Sequence, residues 1–340
     1  MKPNGKFGAL IAAPIDISWH PGLPIFASEG FLKTVGDEYG WLGGTDETGQ
    51  LRCVLPYTIV RNPWFRMVRF RVETVPWQKE LTVQDERSFL NNAVDYFRSI
   101  GAHMIIPANN TALFRTYPNG ASVAPYGTFI KSLHQSEDIL WGELHSDYRR
   151  NIRKAIKSGI IVNSGTEYLD SSYSLIANTL KRSGLGFRQR THFNKMISGL
   201  GENVKIFVAH HEGVIQACMV CPFSQDAAYD WYSGTISKPL RGAMHTLVWE
   251  AIRQFSAIGV QRFNFTGVRV NPEKGSRQEG IKNFKMRFGG ELVQGYTWKY
   301  PISRVRFAAF SIAAYLLMRG DTVRFKVASE SDCVADKTQT

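Results

Sequence analysis

The succession of apolar periods after Ser158-Gly159 constrains this chain more than any single motif. Two helical segments, Leu169 to Arg182 and Phe193 to Gly199, precede VKIFVAH and VIQACMVC, two runs of strand character joined at His211-Glu212-Gly213. The glycine there suits a tight hairpin. A further strand, AAYDWYS, leads through the loop GTISKPLRGA into a helix from Met244 to Ile258. The strand RFNF, the segment GIKNFKMRFGG and a last strand, ELVQGYTWKY, complete the series. This mixture of hairpin, crossover helix and returning strand predicts an α+β domain with helices flanking a mixed, mostly antiparallel sheet.

The first third offers similar material. CVLPYTIV, RMVRFRVETV and HMIIPA read as strands, and a helix is expected from about Asp85 to Ile100, with Leu90, Val94 and Phe97 at core spacing. Two units of one kind follow: residues 1–135, completed by 300–327, and residues 136–299. The polar tail 328–340 is expected to be disordered. A helix from Trp141 to Lys157 opens the second unit, with Trp141, Leu144, Tyr148, Ile152 and Ala155 on its apolar face. Arg149, Arg150, Arg153, Lys154 and Lys157 lie opposite, as either a solvated face or a track for an RNA backbone.

At 340 residues and 44% hydrophobic, the chain has core material for both units. Its 41 basic against 29 acidic residues, net +12, favour phosphate-bearing partners or an anionic membrane surface. Cys53, Cys218, Cys221 and Cys333 have no framework spacing, and no secretory leader opens the sequence, so a cytoplasmic protein is expected. FAAFSIAAYLLM, Phe307 to Met318, is too short to span a bilayer; a buried terminal helix and a helix lying on headgroups are its two readings.

HHEGVIQACMVC brings His210, His211, Cys218 and Cys221 together in sequence, but strand residues three apart point to opposite faces, which argues against a metal site. SKPLRGAMH opens a helix, where free N–H groups collect anions; Arg241-Gly242-Ala243 is either a phosphate cradle or a cap with an incidental arginine. In GIKNFKMRFGG, Ile281, Phe284 and Phe288 share one helical face, and Lys285 sits at its edge. It is either a snorkelling lysine or a cation placed at a cleft.

Several blocks together resemble the Fem-type peptidoglycan aminoacyltransferases, enzymes with two fused domains of the Gcn5-related N-acyltransferase (GNAT) type. They are LHSDYRRNIRKAIKSGIIV, TLKRSGLGFRQR, YDWYSGTISKPLRGAMHTLVWEAIRQFSAIGVQRFNFTGV and GIKNFKMRFGG, with a weaker echo in FASEGFLKTVGDEYGW. The resemblance implies transfer of an aminoacyl group from aminoacyl-tRNA to an amine on a peptidoglycan precursor peptide, with no metal and no dissociable cofactor. It implies that Phe284 and Lys285 lie at the reaction centre, that Lys33 and Arg182 grip the pyrophosphate of a nucleotide-linked acceptor, and that Tyr232 and Arg241 contact substrate. Asn264 stands where family members commonly carry aspartate, and no general base is apparent. Relatives with this layout imply an alternative, acyl-CoA-dependent N-acylation of an amino sugar or polysaccharide precursor. The Arg241 loop matches a coenzyme-A-binding loop only in part, because Pro239 stands three before Gly242. Nucleotide- or lipid-linked acceptors and peripheral contact with the inner membrane face are further expectations, and a non-catalytic RNA- or lipid-binding module is a third reading.

Overall fold

Strand alternation decides where the second unit's core lies. Along β9 (Val204–His211) and β10 (Val214–Pro222), Ile206, Val208, Cys218 and Val220 enter one hydrophobic cluster, while Phe207, Ala209, Met219 and Cys221 enter another. A sheet buried on both faces needs helices on both, because each apolar face must be removed from water. Cys218 and Cys221 accordingly face different cores. The hairpin turns through Glu212 at φ 49° and Gly213 at φ 77°, the positive pair that a two-residue turn requires.

The computed structural model describes residues 10–77, 81–108, 110–317 and 325–327. Before β9 the chain runs through β1 (Ile11–Ile15), α1 (Glu29–Val35), β2 (Glu38–Thr45), β3 (Leu51–Arg61), β4 (Arg66–Phe70), β5 (Val75–Pro76), α2 (Val83–Ser99) and β6 (Met104–Ile105). Next come β7 (Ser122–Ser132), α3 (Glu137–Gly142), α4 (Ser146–Lys157), β8 (Ile161–Ser164), α5 (Leu169–Arg182) and α6 (Arg190–Gly199). After β10 follow β11 (Ala227–Tyr229), β12 (Tyr232–Thr235), α7 (Ala243–Ala257), β13 (Arg262–Val268), α8 (Arg277–Met286), β14 (Glu291–Pro301), α9 (Arg304–Leu317) and β15 (Lys326–Val327). The expected tail, 328–340, lies outside the described residues.

Two sheets result. The larger runs β1-β2-β3-β4-β6-β14-β7-β13-β11, with β5 on β3 and β15 on β7; the smaller runs β12-β10-β9-β8. β14 pairs antiparallel with β7 from Glu291 to Lys299, and with β6 at Tyr300 and Pro301. The sheet therefore crosses without a break from the first half of the molecule into the second. α2 covers the early strands, starting at a Thr82–Asp85 capping box that satisfies two free N-terminal donors.

Three expected elements are broken. The helix expected from Trp141 to Lys157 is α3 and α4, bent at Glu143–His145, where the His145 N–H donates to the Arg287 carbonyl at 2.9 Å. The expected strand AAYDWYS is split at Asp230-Trp231: β11 pairs parallel with β13 in the large sheet, and β12 pairs antiparallel with β10 in the small one. That split opens the wedge in which the candidate site lies. RMVRFRVETV likewise divides into β4 and β5.

Candidate functional site

Parallel β11 and β13 run side by side until Asp230, whose N–H donates to the Asn264 carbonyl at 2.9 Å; beyond it the strands diverge. On the β13 side, Thr266 holds φ 57°, sparsely populated for a β-branched residue. Three contacts hold that strain in place. Its N–H donates to Asn264 Oδ1 at 2.7 Å, its hydroxyl donates to the Asp230 carbonyl at 2.9 Å, and its carbonyl accepts from Thr128 Oγ1 at 2.9 Å. The register between β13 and β7 shifts across this segment, the mark of a bulge. Asn264 thus serves the backbone, where relatives were expected to show an aspartate.

α8 delivers Lys285 into the notch. Ser276 caps the helix by accepting from the Glu279 N–H, and Phe284 and Phe288 pack edge to face at 5.1 Å. Beneath them lie Tyr148, His245 and Phe265, with the Tyr148 hydroxyl donating to the Phe284 carbonyl at 3.2 Å. Phe288 is fully buried, so the helix is anchored by its rings. Lys285, only 9% exposed, turns inward; its Nζ lies 3.4 Å and 3.3 Å from the Thr266 and Gly267 carbonyls. The snorkelling geometry is therefore replaced by a buried ammonium.

The notch, about 240 Å³, is lined by Asp230, Trp231, Ser233, Met244, Thr266, Phe284 and Lys285. Burial pulls the Lys285 pKa down to about 8, and the nearby Asp230 charge only partly restores it. Burial pushes the Asp230 carboxyl above its ordinary value against the opposing pull of Lys285 and of the Ser233 hydroxyl that donates to it. An ammonium and a carboxylate with opposed shifts stand at one opening. Sequence reasoning missed Asp230. Its signal was slight: one acid between two strand-like triplets that later proved to belong to different sheets.

Across Trp231 lies a second cavity, about 330 Å³, lined by Arg69, Arg71, Arg188, Trp231, Tyr232 and Lys299 among others. Like charges converge here. Arg188 donates to Tyr232 Oη at 2.9 Å, and Arg71 donates to the Val35 carbonyl and to Thr58 Oγ1. Among the described residues, the Nε atoms of Arg69 and Arg188 are buried without a hydrogen-bond partner, and no carboxylate pairs with these four cations. Burial, then mutual repulsion, brings Arg71 down to about 9 and Arg69 to about 10. Half-buried cations at this density, without a carboxylate among the described residues, make a receptor for a multivalent anion.

The residues singled out from sequence separate accordingly. Phe284 and Lys285 line the notch, and Tyr232 lines the arginine cavity. Lys33 does neither: Phe31 and Val35 occupy the cavity-facing side of α1, and Lys33 points away to an ion pair with Glu29 at 2.9 Å, its side chain 57% exposed. Arg182 is exposed and donates to the Thr235 carbonyl at 2.6 Å. Arg241 is exposed too. Beside it Gly242, φ 91°, is pressed against α4; a Cβ there would come within 2.6 Å of the Asn151 carbonyl oxygen. Glycine at this position therefore permits the close approach of α4 to the start of α7.

Among the described residues, no group of three or more His, Cys, Asp or Glu is placed to hold a metal, and no helix is long and apolar enough to cross a membrane.

The FemAB family model matches residues 110–213, a stretch that runs from before β7 to the β9–β10 turn and contains Arg188 but stops short of Asp230 and Lys285. Against solved structures, FemX superposes over 87% of this chain and 99% of its own, with a TM-score of 0.65 at 14% identity. Over residues 110–213 the chain resembles the FemAB family, and over most of its length it has the fold of FemX. The C-terminal domain of a putative lysylphosphatidylglycerol synthetase from Agrobacterium fabrum also shares the fold of this FemAB-like chain, at TM-score 0.51 and 14% identity, covering 86% and 93% of the two chains. No curated protein matches by sequence. The α+β architecture expected from element order, a mixed, mostly antiparallel sheet flanked by helices, is the architecture found, and it is the fold of FemX.

Proposed function

We propose that this chain transfers an aminoacyl group from aminoacyl-tRNA to an amine on a peptidoglycan precursor peptide, using no metal and no dissociable cofactor. The observation that carries the reading is the placing of Asp230 and Lys285 at one notch, back to back across Trp231 with a cation-lined cavity. The acceptor's phosphate groups sit among Arg69, Arg71 and Arg188, with Tyr232 beneath Arg188, and its amine reaches past Trp231 to Asp230. Arg188 takes the role first expected of Arg182, and no cavity contact is left for Lys33. The exposed basic flank of α4, which packs through Tyr148 against α8, guides the tRNA.

In the reaction, the amine nitrogen attacks the ester carbonyl as Asp230 takes its proton; raised affinity for protons suits the carboxylate to this. Negative charge gathers on the carbonyl oxygen, and the Lys285 ammonium holds it in a largely dry site. The C–N bond forms, the C–O bond to the ribose breaks, and the proton held by Asp230 passes to the departing oxygen. An amide and a free tRNA end result.

Acyl-CoA-dependent N-acylation remains the second reading, favoured by Arg241 at the mouth of the α7 loop. The incomplete loop match argues against it, because Pro239 stands three before Gly242, where a coenzyme-A-binding loop usually carries glutamine or arginine. Incubating pure protein with an acceptor peptide and either charged tRNA or acetyl-CoA separates the two. Deacylation of tRNA is the expected result; thiol release from acetyl-CoA with tRNA left charged would overturn the proposal.

A further inference from the structure

α9 touches the rest of the protein through a narrow stripe. Phe307 and Phe310 pack over Phe65, Met67, Met104 and Ile106, and Ala314 follows one turn later. The outward arc, Val305, Ala308, Ala309, Ile312 and Ala313, is apolar and exposed, with Val305 at 81% and Ile312 at 62%. A helix that carries apolar residues on its outward arc as well as its inward stripe is ordinarily covered on both, so this arc lacks an expected cover.

Two further observations say what covers it. Trp64, 80% exposed, projects from the turn beside Phe65, whose ring meets Phe310 at 5.4 Å. An indole next to an apolar helix face is the arrangement that settles at a lipid headgroup boundary. Arg304 and Arg306 stand exposed at the start of the same helix; Arg306 leans on the His103 ring, and neither has an ion pair among the described residues. A net charge of +12 favours an anionic surface and disfavours a second copy of this chain.

We propose that the outward face of α9, with Trp64 beside it, docks on an anionic lipid leaflet. The docking stands independently of the chemistry above. Its consequence for substrate rests on that reading: Phe310 and Ala314 wall the arginine cavity, so docking sets the cavity at headgroup depth, where a lipid-linked phosphate can enter.

Flotation of the full chain with phosphatidylglycerol–phosphatidylcholine vesicles, against pure phosphatidylcholine vesicles, tests this without requiring turnover. Binding to the anionic vesicles alone, weakening as salt rises, is expected. Arg304→Gln is expected to lower the vesicle partition coefficient about fivefold, the effect of one cation near an anionic surface. Val305→Asp with Ile312→Asp should abolish flotation while the thermal unfolding midpoint stays put, because both side chains are solvent-exposed. Absence of wild-type flotation, equal flotation of the double aspartate variant, or a dimer in light scattering that this variant dissolves would each overturn the proposal. If tRNA deacylation fails while flotation succeeds, the docking stands and only the reaction falls.

Discussion

The notch and the arginine cavity share Trp231 and are opposites in charge design. In the notch each charge has an opposite nearby, and both are shifted toward the neutral form. In the cavity cations face cations, with no acid among the described residues to relieve them. The first arrangement suits proton transfer, because a carboxylate with raised proton affinity and an ammonium titrating at about 8 are brought closer in acidity than the free groups. The second cannot move protons at neutral pH, since arginine keeps its own; it is incomplete until an anion arrives.

The sharpest test of the contrast is Lys285→Ala, expected to lower turnover by about two to three orders of magnitude, as loss of an oxyanion donor does. Stability should move the other way. The unfolded lysine titrates near its ordinary value and the folded one at about 8, so the unfolded state binds more protons between those limits and wild-type stability rises with pH there. At neutral pH the buried charges are a cost, and Lys285→Met combined with Asp230→Asn should raise unfolding free energy by on the order of 1–3 kcal/mol in denaturant titrations. An inactive but less stable double variant would mean that the pair is a structural tie.

Asp230→Asn is expected to cost about a hundredfold in turnover. The wild-type pH profile should be a bell: the acid limb reports Asp230 losing its proton above the ordinary carboxylate range, and the alkaline limb, near pH 8, reports Lys285 losing its own. The asparagine variant should keep the alkaline limb and lose the acid one. An unchanged acid limb would remove Asp230 from the role of base.

Arg71→Gln tests the other side of Trp231. About tenfold to a hundredfold in acceptor KM is expected, with kcat within a few-fold, the size of a lost charge-assisted hydrogen bond. Inorganic pyrophosphate should raise the wild-type melting temperature, because it binds the folded state and relieves its repulsion, and should do so less in the variant. A kcat loss with unchanged KM would merge the two regions into one. The smallest effect belongs to Lys33→Ala, expected to alter steady-state KM less than about twofold because the side chain lies in solvent beside Glu29.

Much of the fold was legible. Periods of two and 3.6 located the hairpin, α2, α5 and α7, and the order of elements carried the architecture. Lys285 was legible as an oddity because an apolar helix face with a cation at its edge violates local pattern. Asp230 and the arginine cavity were not, for different reasons. A strand that changes sheets in mid-run shows no change in period, so the break at Asp230-Trp231 is written in its pairing partners, which lie downstream in β13 on one side of the break and upstream in β10 on the other. The cavity gathers Arg69 and Arg71 from β4 and the residue after it, Arg188 from the loop before α6, and Lys299 from β14, segments with no sequence proximity. Lys33 and Arg182 matched a linear pattern but not a facing direction.

β14 carries a mechanical corollary. A rod hydrogen-bonded to β7 along most of its length and to β6 at its end cannot flex as a hinge without rupturing its ladder. The two halves are therefore clamped at a fixed separation, and closure on substrates falls to side chains and loops. Severing the polypeptide between β6 and β7 would part β6 from β14 and leave each fragment with an unpaired margin, so neither half is expected to be recoverable alone.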